Sequence, residues 1–111
     1  MKRDYKLFLN DIKESIALIE DYLDNVSEEQ FMKDEQVQDA VIRRLEIIGE
    51  ATKNVPRSLK DKNKQVPWDR LSHFRDFITH SYYESSMKRV WKVCTEDMPE
   101  IKESIKDIKL V

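Results

Sequence analysis

A single glycine in 111 residues constrains this chain more than any other feature. Tight β-turns lean on glycine for backbone angles that other residues resist, and sandwiches and barrels need many such turns. Gly49 is the only glycine and there are three prolines. That is too few for a turn-rich β fold, and the composition points to helices. The apolar residues agree. Tyr5, Phe8, Leu9, Ile12, Ile16, Ile19 and Leu23 recur at steps of three and four, which predicts a long amphipathic helix over residues 3–24.

Asn25 and Val26 break that helix. Ser27-Glu28-Glu29-Gln30 has the form of a capping box and predicts a short helical turn. Asp34 is placed to cap a helix running to about Asn54, with Val37, Val41, Leu45, Ile48 and Ala51 or Thr52 as its apolar stripe. Gly49 lies inside this helix, where glycine costs about 1 kcal/mol relative to alanine. A close helix crossing is one reason to tolerate it. Pro56 ends or restarts the helix, and residues 57–66 are basic and mostly polar, a short helical turn and a loop. A helix over 67–81 follows, started by Pro67. Glu84-Ser85-Ser86 predicts a break before a helix from about residue 87, with Met87, Val90, Trp91 and Cys94 turned inward. Pro99 kinks that helix or opens a new one capped by Asp97, and Ile101, Ile105 and Ile108 form the last stripe. The expectation is an all-α antiparallel bundle of four to five helices, with residues 1–111 forming one domain.

Hydrophobic residues make up 40% of the chain, enough for one modest core and not for two. The apolar runs are too short to span a membrane. The start, Met-Lys-Arg-Asp-Tyr, is charged and lacks an apolar h-region, so no signal peptide is expected. Cys94 is the only cysteine, which excludes an internal disulfide and suits a reducing cytoplasm. Its expected role is that of a small buried hydrophobe. Net charge is −2, but it is unevenly spread. Residues 20–39 carry eight acids against Lys33, a local −7, and residues 53–92 carry ten Lys or Arg against four acids, a local +6. A phosphate-bearing ligand would be drawn to the basic half, and solvated helix faces of uneven charge account for the pattern equally well.

That half holds Leu71–Tyr83, with the arrangement Arg75-x4-His80-x-Tyr82. On an α-helix Leu71, Phe74 and Ile78 share one stripe, while Asp76, His80 and Tyr83 fall on the far side. Arg75 and Tyr82 border the two faces, and Arg75 and His80 stand about 140° apart. His73 and His80 are separated by about 10.5 Å of helical rise, too far to share a metal within one chain. One glycine cannot furnish a phosphate-binding loop or a dinucleotide fingerprint. No cofactor or metal is expected. Metal-free RNA cleavage needs a base for the 2′-hydroxyl proton and a cation for the charge on the phosphorane, tasks that suit histidine and arginine. A helical Arg, His and Tyr equally well make surface contacts, so a non-catalytic binding module for a nucleotide or a nucleotidyltransferase stays open beside the ribonuclease.

Several blocks together carry a resemblance. Ile48-Gly49-Glu50-Ala51-Thr52-Lys53-Asn54-Val55-Pro56, Val66-Pro67-Trp68-Asp69-Arg70-Leu71, Arg75 to Tyr83, Val90-Trp91 and Asp97-Met98-Pro99 resemble the HepT family of HEPN-domain toxins. The likeness covers most of the chain from about residue 37 onward. It implies a helical bundle that pairs as a homodimer, an RNA substrate, and a toxin–antitoxin module with a MntA-type nucleotidyltransferase antitoxin. It also implies Arg75 and His80 as the ribonuclease pair, Asp76 as the supporting or phosphate-binding polar residue, and Tyr82 as the acceptor of AMP from the antitoxin. The chain departs from the family where His-x-Tyr-Phe-Gly is common: here Tyr82 is followed by Tyr83-Glu84-Ser85-Ser86.

Overall fold

The computed structural model describes residues 4–78 and 84–110. All regular structure among them is helical: α1 (Tyr5–Leu23), α2 (Glu28–Lys33), α3 (Glu35–Lys53), α4 (Arg57–Lys62), α5 (Trp68–His73), a 3-10 segment (Phe74–Ile78), α6 (Glu84–Lys92), a π-helical turn (Val93–Asp97) and α7 (Met98–Ile105). Four bodies make the bundle: α1, α3, α5 with its 3-10 extension, and the rod of α6 and α7. Short α2 and α4 lie in the connections. The all-α bundle read from the periodicity is therefore the fold.

Local sequence accounts for most boundaries. Asp4 starts α1 by accepting a hydrogen bond from the Lys6 amide at 2.9 Å. Asn25, at φ 58°, turns the chain after α1, a left-handed angle that asparagine tolerates. The capping box forms: the Gln30 amide donates to Ser27 Oγ at 3.1 Å and the Ser27 amide to Gln30 Oε1 at 2.8 Å. Asp34 caps α3 through the Val37 amide at 3.2 Å. Buried Gln38 ties the two helices, its Nε2 donating to the Phe31 carbonyl at 2.8 Å. Phe31 is fully buried with its ring 5.3 Å from that of half-buried Trp91.

The core sits between α1 and the other bodies. Ile12, Ile16 and Ile19 of α1 and Val41, Leu45 and Ile48 of α3 are buried, as are Leu71, Phe74, Val90, Met98 and Ile101. Each such side chain contributes about 1.5–3 kcal/mol on burial. Helix α3 packs against α1, α5 and the 3-10 segment and is the central element.

Three expectations need correction. The helix over 67–81 is not one α-helix, because α5 passes into a 3-10 segment at Phe74, whose amide donates to the Leu71 carbonyl three residues back. Side chains compete for backbone acceptors here, since Ser72 Oγ donates to the Asp69 carbonyl at 2.8 Å and the His73 ring bonds the same oxygen. Second, Glu84-Ser85-Ser86 is no break but the first turn of α6. Third, Asp97 makes no side-chain cap. The π-helical turn instead leads directly into Pro99, with the Met98 amide donating to the Val93 carbonyl five residues back. Widening the turn accommodates a proline that has no amide hydrogen to offer.

The C-terminal segment is held by Asn63, which is 1% exposed. Its Nδ2 donates to the carbonyls of Leu59 and Lys109, each at 2.9 Å, and its Oδ1 accepts from the Lys109 amide at 2.8 Å. Its own carbonyl accepts from the Trp68 indole at 3.0 Å. One residue thus joins α4, the start of α5 and the segment after α7.

Candidate active site

Arg75 lies on the 3-10 segment, and α3 determines where it sits. Gly49 of α3 lies against this segment. A methyl group at Gly49 would lie 2.9 Å from the Arg75 amide nitrogen, 3.0 Å from Arg75 Cβ and 3.3 Å from the Ser72 carbonyl oxygen. Two of those atoms are main chain, so no rotamer change relieves the contact. The lone glycine marks a close crossing, and the element it admits is the one bearing Arg75.

The Arg75 side chain is 42% exposed and lies between two carboxylates. Its Nη1 is 3.4 Å from Glu50 Oε1, and its Nε is 4.0 Å from Asp76 Oδ1. Glu50 follows Gly49 directly, so the same turn of α3 supplies the gap for the Arg75 backbone and a partner for its guanidinium. Asp76 is exposed, and a carboxylate only accepts hydrogen bonds. Glu50 had no role in the sequence reading beyond its place in the resembling block. It reaches Arg75 only through the fold, from 25 residues away. Its position next to the sole glycine was the available signal.

His80, Tyr82 and Tyr83 lie outside the described residues, as does any distance from them to Arg75. The helical-wheel placement that put Arg75 and His80 about 140° apart assumed an unbroken α-helix. A 3-10 helix turns about 120° per residue instead of 100°, so those angles do not hold through residues 74–78.

Two other candidates resolve simply. His73 is exposed, and because a carbonyl can only accept, its bond to Asp69 places the ring proton on Nδ1. Cys94 is buried, and burial, followed by the nearby Asp97 charge, pushes its thiol up to about 12. That thiol packs as a small apolar group and is not a nucleophile.

A helical bundle carrying an Arg-x4-His-x-Tyr stretch resembles the HEPN class of ribonucleases. The family described as Ribonuclease HepT-like matches residues 12–108, nearly the whole chain. The chain belongs to this family and is by that membership an endoribonuclease. It is 42% identical over 102 residues to a protein of Thermococcus cleftensis named a probable ribonuclease HepT, covering 92% of this chain and 93% of that one. It is also 42% identical over 105 residues to a Methanocaldococcus jannaschii protein named for a γ-glutamylcyclotransferase and an RNase. That match covers 95% of this chain but 47% of the relative, so the chain spans about half of that protein's length. A second M. jannaschii protein with RNase in its name is 39% identical over 112 residues, covering 97% of this chain and 93% of that one. No solved structure matches the chain significantly. Among the described residues no helix is long and apolar enough to cross a membrane.

Proposed function

We propose that this protein is a metal-independent endoribonuclease toxin of a HepT/MntA-type module, with His80 and Arg75 as its catalytic pair. In this reading His80 takes the 2′-hydroxyl proton and the 2′-oxygen attacks the adjacent phosphorus. The P–O5′ bond breaks, and the leaving oxygen takes a proton from the imidazolium or from water. The products are a 2′,3′-cyclic phosphate and a 5′-hydroxyl. Arg75 balances the charge that builds on the phosphorane oxygens, and Asp76 steadies it. The observation that carries the reading is the state of Arg75: an always-charged side chain, half-exposed, with its backbone seated on Gly49 and its guanidinium beside Glu50.

The chain works in the cytoplasm as a homodimer through the face carrying Asp76, His80 and Tyr83. Sedimentation at micromolar concentration should give twice the 13.3 kDa chain mass, and a monomer would refute the dimer. A MntA-like nucleotidyltransferase antitoxin silences the enzyme by placing AMP on Tyr82. The central test is cleavage of a single-stranded RNA in EDTA. Wild-type protein should retain full activity, and His80→Ala should lose roughly 10²–10⁴-fold in turnover, the usual worth of a general base. Equal rates for the two proteins would remove His80 from the mechanism, loss of wild-type cleavage in EDTA would overturn its metal independence, and no cleavage by either protein would leave the non-catalytic binding module as the better reading.

A further inference from the structure

We propose that Gly49 and Glu50, consecutive residues of α3, are positioning residues for Arg75, Gly49 through the backbone and Glu50 through the guanidinium. The inference rests on the reading of Arg75 as the group that stabilises the phosphate.

Gly49 costs the interior of α3 helical stability that alanine would supply. What it permits is specific. The atoms that a methyl group would strike belong to the Arg75 and Ser72 main chain and to Arg75 Cβ. Adding that carbon forces the 3-10 segment away from α3, and Arg75 moves with it. The displacement is carried from helix backbone to helix backbone, with no flexible side chain to absorb it.

Glu50 does not serve general stability. Its side chain is 56% exposed, and ion pairs this open contribute little to folding. Electrostatically it is also unwelcome, because a carboxylate beside the phosphate site repels an RNA strand. Its placement therefore makes sense as geometry. Among the described residues, the contacts to Arg75 fall on Nη1 from Glu50 and on Nε from Asp76. With Nη1 beside Glu50 and Nε near Asp76, these two contacts leave Nη2 for a phosphate oxygen. The free arginine side chain has many rotamers, and restraining it beforehand lowers the cost of forming the charged transition state.

This role makes a prediction that a merely structural residue would not. Glu50→Gln removes a repulsive charge and loosens the restraint together. Its kcat should fall roughly tenfold, since small misplacements are costly at a reacting centre. Its KM for RNA should fall about two- to threefold, since an opposing charge has gone. Its melting temperature should match wild type. A double-mutant cycle supplies the second measurement. Arg75→Ala should lower kcat strongly, and adding Glu50→Gln to it should lower kcat no further. Gly49→Ala should lower kcat like Glu50→Gln if it folds, and Glu50→Gln decides the matter if it does not. Full activity in Arg75→Ala would mean that the assignment of Arg75 itself is wrong. Loss in Arg75→Ala with independent, multiplicative loss from Glu50→Gln, or Glu50→Gln kinetics equal to wild type, would overturn the positioning role alone.

Discussion

Removing the Asn63 side chain tests how the chain closes its bundle. Asn63→Ala deletes three hydrogen bonds: Nδ2 to the Leu59 and Lys109 carbonyls and Oδ1 from the Lys109 amide. Each is worth about 0.5–1.5 kcal/mol net, and a buried acceptor left without a donor costs more. Lys109 is exposed and its backbone regains water when the segment lifts, which offsets part of the loss. The balance is a destabilisation of about 2–3 kcal/mol, a large share of the roughly 5–15 kcal/mol that holds a domain together. In a chain of this size that lowers the melting temperature by roughly 10–20 °C. The Trp68 indole bonds the Asn63 main-chain carbonyl, so that contact survives the substitution. Urea unfolding followed by tryptophan fluorescence should show a lower midpoint with little change in slope. Hydrogen exchange should show the Lys109 amide losing its protection. Asn63→Asp should be worse than Asn63→Ala, because it turns an acceptor toward two carbonyl oxygens. An Asn63→Ala protein within 0.5 kcal/mol of wild type, or an Asn63→Asp protein no worse than it, would refute this reasoning.

Two further predictions concern titration and regulation. The Cys94 thiol is held at about 12 in the folded chain against an ordinary value of 9.0, so between those limits the unfolded chain loses its proton first. Stability is therefore fully present below pH 9.0 and drains away as pH rises toward 12, by ~1 kcal/mol per pH unit from this group. Cys94→Ala should lack that increment when urea midpoints of the two proteins are compared across the range, and parallel curves would contradict it. Tyr82 should gain one or more AMP units when wild-type protein is incubated with its nucleotidyltransferase and ATP, and the modified protein should stop cleaving RNA. Intact-mass analysis of Tyr82→Phe reads the site, and modification that persists there would remove Tyr82 from the proposal.

Much of this architecture was legible before folding. Periodicity in α1 and α3 foretold most of the buried residues, among them Ile12, Ile16, Ile19, Val41, Leu45 and Ile48, because a helix repeats every 3.6 residues whatever it packs against. Ser27, Gln30 and Asp34 announced two helix starts, because caps are satisfied by groups within three residues. The resemblance of the Arg75–Tyr83 block pointed to a ribonuclease. Three-dimensional contact decided what lies beyond that reach. The passage from α5 into a 3-10 segment reflects competition for the Asp69 carbonyl, which spacing does not reveal. Asn63 reads as an ordinary loop polar residue until the C-terminal segment arrives beside it from 46 positions away. Gly49 could be flagged as a close crossing, but its partner could not. That partner is the backbone of Arg75, and Glu50 meets the guanidinium only because α3 and the 3-10 segment are pressed together. Local rules determine which residues become helix and which face turns inward. Which distant backbone comes so close to Gly49 that a Cβ would not fit, and so where a half-exposed arginine is held, depends on packing among all the helices at once.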